Sequence, residues 1–258
     1  MDKVINNGTI LVYNGCGANE FCVQKTVDSL RSYLGNRAVK LVSVDSSYFI
    51  PKNLKNTQAV VITGGNASIM RNSFKEEGIK HIRDFVVSGG SYIGFCAGGY
   101  LAGPFSFLSQ DNDYGAKLIS SKLDGPAINL KEDAKELNAT TAKAVLIKDE
   151  INKENNYYAF WNGGGYYSWY NPGNQRSIAW YQEKPYEQVA VLYSCENKGH
   201  VVISNIHPEI QLTPSEIEAI FPAMNNKSQM LSSVPNQKAL FGRICDYAGL
   251  SEKKFYFL

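Results

Sequence analysis

Tyr92-Ile93-Gly94-Phe95-Cys96-Ala97-Gly98-Gly99-Tyr100 is a short apolar run that ends in a cysteine set among glycines and small residues. It reads as a buried strand that turns sharply into a helix, with a thiol at the apex. In a Gly-x-nucleophile-x-Gly elbow the central residue takes a strained turn, and Gly94 and Gly98 allow the close backbone approach that this turn requires. The helix that follows offers unpaired backbone N–H donors and the positive end of its dipole, which favours thiolate over thiol. The competing reading is a buried structural cysteine at a Gly-rich strand end. Partners elsewhere in the chain decide between the two.

Upstream of the elbow, strand and helix signals alternate. Thr9-Ile10-Leu11-Val12-Tyr13 is a buried strand, and Asn14-Gly15-Cys16-Gly17-Ala18-Asn19 is the turn after it. Asn19 caps a helix in which Val23, Val27, Leu30 and Leu34 recur at helical spacing. Leu41-Val42-Ser43-Val44 and Ala59-Val60-Val61-Ile62-Thr63 are further strands, the latter ending in Gly64-Gly65-Asn66. Ile79, Ile82, Phe85 and Val86 give the apolar face of a second helix, stopped by Gly89-Gly90 just before the Cys96 strand. Apolar strands without alternation, separated by helices, imply a parallel sheet covered on both faces.

After Gly103-Pro104 the pattern changes to irregular segments and antiparallel strands. Ala142–Ile147 and Tyr157–Trp161 are strand-like, the second leading into Asn162-Gly163-Gly164-Gly165. Val189–Tyr193 and His200–Ser204 flank the turn Glu196-Asn197-Lys198-Gly199 and form a hairpin. Two helices are expected to close the chain, one starting near Thr213 and one carrying Leu240, Phe241, Ile244 and Cys245. No repeat or linker stands out, so residues 1–258 are read as one domain.

The 258 residues suffice to bury an ample core. With 19% charged residues and a net charge of +2, nothing points to a nucleic-acid partner. The longest apolar runs are too short to span a bilayer, and Met1–Gly8 lacks the apolar core of a signal peptide. A protein located in the cytoplasm is expected, with no membrane partner. Five irregularly spaced cysteines form neither a disulfide framework nor a paired zinc motif, so reduced thiols and no metal are expected.

The chain has three histidines, which makes the search for a base short. His81 lies within a helix and His200 starts a strand, positions that suit surface or rim residues. His207 follows the hairpin in Asn205-Ile206-His207-Pro208-Glu209. Pro208 biases the preceding residue toward extended backbone, and in an extended segment residues i and i+2 point the same way, so Glu209 reaches His207. A carboxylate on one imidazole nitrogen fixes the tautomer and leaves the other nitrogen for the thiol proton. Cys96, His207 and Glu209 are thus the candidate nucleophile, base and orienter. The candidate oxyanion donors are the N–H of Ala97 and an amide from Gly64-Gly65, which a parallel sheet brings to the same edge.

These residues carry a resemblance. Gly94-Phe95-Cys96-Ala97-Gly98-Gly99-Tyr100, a later His207-Pro208-Glu209 and Gly64-Gly65 between strand and helix resemble the class I glutamine amidotransferase-like fold. Val12-Tyr13-Asn14-Gly15-x-Gly17, Gly125-Pro126-Ala127 and Asn162-Gly163-Gly164-Gly165 narrow this to the N-terminal domain of biotin-protein ligases and related stand-alone proteins, over roughly residues 9 to 210. The resemblance implies a flavodoxin-like three-layer α/β/α sandwich with a mainly parallel central sheet, and a Cys96–His207–Glu209 triad acting on a small-molecule amide or acyl substrate through a thioester, without a cofactor. The substrate pocket is expected at Tyr100, Asn14, Asn162 and Gly163. Two features depart from a full transfer. The glutamine that commonly stands four positions after the cysteine is Tyr100 here, and no biotin ligase catalytic signature follows residue 210.

The main alternative is a non-catalytic ligand-binding or regulatory module, with the aromatic loop Phe160–Tyr170 lining its pocket and a protein partner left open. Dinucleotide binding at Gly15-Cys16-Gly17 is disfavoured, because Glu20 replaces the third glycine of the fingerprint and its charge faces the pyrophosphate. A regulatory disulfide between Cys16 and Cys96 is a further option if both reach the same sheet edge.

Overall fold

The computed structural model describes residues 8–35, 40–107, 110–112, 115–127, 141–150, 156–182 and 188–251. Met1–Asn7, where the absence of a leader is read, lies outside the described residues.

Alternation runs as expected through the first hundred residues. Strand β1 (Thr9–Tyr13) leads to helix α1 (Glu20–Leu34), followed by β2 (Lys40–Val44), the short α2 (Pro51–Leu54) and β3 (Thr57–Ile62). Next come α3 (Ala67–Val87), β4 (Ser91–Phe95) and α4 (Ala97–Ala102). Asn19 caps α1 by accepting the Cys22 N–H, and Asn66 does the same for α3 through the Ile69 N–H. Helix α3 is broken at Lys75, whose φ of 55° interrupts the helical backbone.

Three short strands, β5 (Phe105–Phe107), β6 (Gln110–Asn112) and β7 (Leu123–Gly125), form a separate small sheet. The remainder comprises β8 (Lys143–Asp149), β9 (Tyr157–Trp161), β10 (Gln175–Tyr181), β11 (Val189–Glu196) and β12 (Gly199–Ser204). Helices α5 (Pro214–Ile220), α6 (Lys227–Ser232) and α7 (Val234–Tyr247) follow, so three helices stand where two were expected. The Thr213–Glu216 capping box starts α5, as the sequence indicates. Asn225 and Asn226 offer no apolar periodicity, which is why α6 escapes a pattern-based reading.

The nine-stranded sheet has the order β2-β1-β3-β4-β12-β11-β10-β8-β9. Its first five strands are parallel and the rest antiparallel, joined at β12, which pairs in parallel with β4 and antiparallel with β11. The β11–β12 hairpin turns at Asn197, which takes a φ of 56°.

Both faces of the parallel half are covered. Ile10, Val12, Val61 and Ile93 pack with Val23, Val27 and Leu30 of α1 and Leu240, Phe241 and Ile244 of α7. Their neighbours Leu11, Tyr13, Val60, Ile62 and Tyr92 face the other way, onto Met70, Phe74, Ile79 and Ile82 of α3 and Leu101 of α4. The architecture is therefore a three-layer α/β sandwich of flavodoxin-like type with a mixed sheet. In such sheets side chains that act together collect at the carboxyl ends of the strands. Phe95 of β4 and Ser204 of β12 are in register, so the residues that follow them emerge side by side.

Candidate functional site

The elbow is formed as its glycines require. Cys96 has φ 48° and ψ −100°, a region that non-glycine residues enter only under strain of about 1–3 kcal/mol. Its N–H is held by the Ser204 carbonyl at 2.8 Å. A Cβ on Gly98 would lie 2.3 Å from the Ile62 carbonyl oxygen, and one on Gly94 would lie 2.7 Å from Gly98 backbone. Only glycines allow helix α4 to settle this closely on β3 and β4. Ala97 opens that helix, so its N–H precedes the intrahelical ladder.

The arm opposite is equally anchored. His207 donates its N–H to the Phe160 carbonyl, and the Ser29 hydroxyl of α1 holds the Glu209 carbonyl at 2.7 Å. His207 Nδ1 and Glu209 Oε1 are 2.7 Å apart, with both side chains buried. Burial alone would lower the His207 pKa, yet the Glu209 charge and hydrogen bonding with Cys96 and Glu209 hold it up at about 10. The i, i+2 reading across Pro208 thus matches the geometry, and Cys96 interacts with the imidazole from the other side.

Gly64 adjoins this arm. A Cβ there would lie 3.0 Å from His207 Cε1 and 2.9 Å from Cys22 Sγ. Gly65, with φ 149°, packs instead against the Gly17 carbonyl and the Asn19 amide. The two glycines therefore border the site on β3, but Gly64 is the one in contact with the candidate base.

Asn162 and Gly163 reach the site through their backbone. The Cys96 thiol donates to the Asn162 carbonyl oxygen at 3.6 Å, while the Asn162 side chain is taken by the Thr141 hydroxyl. The Tyr100 hydroxyl donates to the Gly163 carbonyl at 3.0 Å. Tyr100 is buried and packs edge-on against Phe105. Asn14 is not brought to this group: it follows β1, two strands from β4, is exposed, and its N–H pairs with Val44 on the far side. The local reason is that β2 forms the sheet edge there and draws the turn toward itself.

The thiol beside the triad is Cys22, not Cys16. Cys16 is exposed and its carbonyl is held by the Tyr13 hydroxyl. Cys22 lies in the first turn of α1 against Gly64, and burial pushes its pKa well up, with Glu209 and Cys96 adding to the effect. Nothing in the local sequence marks Cys22, because its place depends on how α1 lies against β3. Of the other histidines, His81 contacts the Phe49 carbonyl and His200 the Tyr193 hydroxyl. Neither reaches Cys96, as expected. Among the described residues, no helix is long and apolar enough to cross a membrane.

The family model for the N-terminal region of biotin-protein ligase matches residues 8–250. The chain belongs to this biotin-protein ligase N-terminal family. Among its curated relatives is the biotin–protein ligase of Schizosaccharomyces pombe, 29% identical over 81% of this chain. That match covers 34% of the yeast enzyme, so the chain spans about a third of its length. An uncharacterized protein of Chlamydia muridarum is 26% identical over 80% of this chain and 82% of its own. Among solved structures, a cytoplasmic protein of Salmonella typhimurium superposes with a TM-score of 0.51 at 13% identity, covering 93% of this chain and 99% of that one. At that identity the likeness concerns the fold alone. In this family member the elbow, the His207–Glu209 arm and the Asn162–Gly165 loop converge at one sheet edge.

Proposed function

We propose that this biotin-protein-ligase-related module is a cysteine-dependent acyl hydrolase of amidotransferase type, acting on a small amide or acyl substrate. The observation that supports this reading most is the strained Cys96 at the start of α4 facing an imidazole whose other nitrogen is held 2.7 Å from a buried carboxylate. In the proposed reaction Cys96, ionised beside the protonated His207, adds its sulfur to the substrate carbonyl. The oxyanion that develops lies near the Ala97 N–H, with Gly64-Gly65 supplying the second donor. Collapse expels the amine, which takes the proton from His207, and a thioester is left on Cys96. Water, deprotonated by His207, adds to that thioester and releases the acid, restoring the Cys96 thiolate beside protonated His207.

A second reading keeps the fold without turnover. Burial of Cys96 and His207, and the hold of Tyr100 on the covering loop, favour a closed binding or regulatory module. Ammonia release from a panel of small amides, measured on the wild-type chain and on Cys96→Ala, separates the two. Release that depends on Cys96 supports the hydrolase. Equal inertness, with one compound raising the melting temperature of both proteins, supports the module.

A further inference from the structure

The loop that covers the nucleophile presents four consecutive carbonyl oxygens, each held by a different donor. Asn162 O receives the Cys96 thiol at 3.6 Å, and Gly163 O receives the Tyr100 hydroxyl at 3.0 Å. Gly164 O is held by Trp161 Nε1 and by the Ala127 N–H, both at 2.9 Å. Gly165 O receives the Tyr181 hydroxyl at 2.9 Å. A Cβ on Gly164 would lie 1.7 Å from the Asn205 carbonyl oxygen, and one on Gly165 would lie 2.4 Å from that of Asp124. The stretch is therefore a wedged wall, aligned by its donors.

Two groups then bear on the Cys96 proton in opposite senses. A carbonyl oxygen accepts from a thiol but repels a thiolate, so Asn162 O favours protonated Cys96. The imidazole of His207, charged against Glu209, favours the thiolate. How firmly Asn162 O is held against the sulfur sets the balance. Tyr100, four residues after Cys96, controls that oxygen from the adjacent carbonyl. The space that admits its ring is built in: a Cβ on Gly125 would lie 1.9 Å from the Tyr100 hydroxyl.

We propose that Tyr100 is a positioning residue whose hydroxyl, through the Gly163 carbonyl, fixes the Asn162 carbonyl against Cys96 and so keeps the resting Cys96 protonated against the pull of the charged His207. This rests on the reading of Cys96 and His207 as nucleophile and base. The groups that face the sulfur are His207 after β12, Cys22 on α1, Tyr100 on α4 and Tyr181 on β10, with Glu209 acting on His207 and Asp124 acting on Tyr100 from β7. Of these, His207 promotes the thiolate by its charge, which Glu209 sustains. The phenols and Cys22, pushed up by burial, stay neutral across the range tested.

The test is the rate of Cys96 alkylation by iodoacetamide between pH 5 and 9, read by peptide mass analysis, in wild type, Tyr100→Phe, Tyr181→Phe and His207→Ala. Tyr100→Phe keeps the ring on Phe105 and removes only the hydroxyl. Its Cys96 is expected to react roughly five-fold faster at pH 7, with the midpoint shifted down, the scale of one lost hydrogen bond. Tyr181→Phe loosens the same loop three carbonyls away, and its midpoint is expected to match wild type. An unchanged midpoint in folded Tyr100→Phe, or an equal shift in Tyr181→Phe, overturns the inference. Should Tyr100→Phe not fold, Thr141→Val, which frees the Asn162 side chain, takes its place with the same expected direction and the same overturning result. Failure of the underlying reading looks different: Cys96 alkylation then stays unchanged in His207→Ala.

Discussion

Glu209 Oε1 accepts from His207 Nδ1 at 2.7 Å, and neither side chain reaches solvent. The second carboxylate oxygen, Oε2, has no hydrogen-bond partner among the described residues, so the charge bears mainly on the imidazole. His207 is raised to about 10 from 6.5, so the folded chain keeps a proton that the unfolded chain has lost. The stabilisation this gives is complete below about pH 6.5 and disappears as pH rises through about 10. Glu209→Gln removes the charge and leaves burial to dominate, which favours neutral imidazole. Melting temperature measured from pH 6 to 9.5 should therefore fall with pH in wild type and fall less, or rise, in Glu209→Gln. Parallel curves would show that the pair does not act as described.

Reactivity should separate Cys96 from the thiols nearest it and in the core. Cys22 is pushed up by desolvation, with Glu209 and Cys96 adding to it, and Cys245 is sealed in the core on the inner face of α7. Iodoacetamide at pH 7.5 is expected to label Cys96 before either, because a charged imidazole and a helix N-terminus favour its thiolate. His207→Ala should slow Cys96 by about ten-fold or more, the scale of about one unit of thiol acidity lost with the neighbouring charge, while leaving the exposed Cys16 and Cys195 unaffected. Equal labelling of Cys96 and Cys22 in the wild type contradicts this.

How far this site can be read from residues alone depends on whether the constraint is local. The elbow is legible because Gly94 and Gly98 flank the thiol in sequence, and the His207–Glu209 contact because Pro208 sets the backbone between them. The parallel character of the first strands follows from strand–helix alternation, whereas β5, β6 and β7 are three residues each and carry no periodicity. Asn162 is expected only as a substrate-pocket residue, and that its carbonyl faces the sulfur could not be read, since backbone orientation in a Gly-rich loop follows from tertiary packing. Cys22 and Ser29 become visible only once α1 lies on the sheet, 180 residues from the Glu209 carbonyl that Ser29 holds.

The close approach at Gly98 predicts a steep cost for one methyl group. A Cβ there meets the Ile62 carbonyl oxygen at 2.3 Å, and this is backbone in the middle of the sheet, with no flexible end to move aside. Gly98→Ala must push α4 off β3, displacing Cys96 with it. The expected destabilisation is about 1–3 kcal/mol, the range for overpacking a closed core, read from urea unfolding. A second consequence is that Cys96 alkylation loses its dependence on His207, because the two are no longer aligned. Wild-type stability in Gly98→Ala would mean that the helix is free to shift without loss.

Far from the elbow, a buried ion pair ties the last helix to the antiparallel half of the sheet. Arg243 Nη2 of α7 lies 2.7 Å from Asp149 Oδ2 at the end of β8, and the Tyr157 hydroxyl donates to the same oxygen at 2.6 Å. Asp149 is fully buried and Arg243 nearly so. Desolvation offsets much of the attraction in such a pair, so its net contribution is small, but removing one partner leaves an uncompensated charge. Arg243→Met should cost about 3–5 kcal/mol in urea unfolding. Adding Asp149→Asn to it should recover part of that loss, since the amide keeps an acceptor for Tyr157 without the charge. The double variant separates charge from packing: if it is no more stable than Arg243→Met, the cost lies in the packing lost with the Arg243 side chain. Because the pair sits on the far strands of the sheet, Cys96 alkylation should keep its wild-type pH profile in both variants at temperatures below their melting transitions.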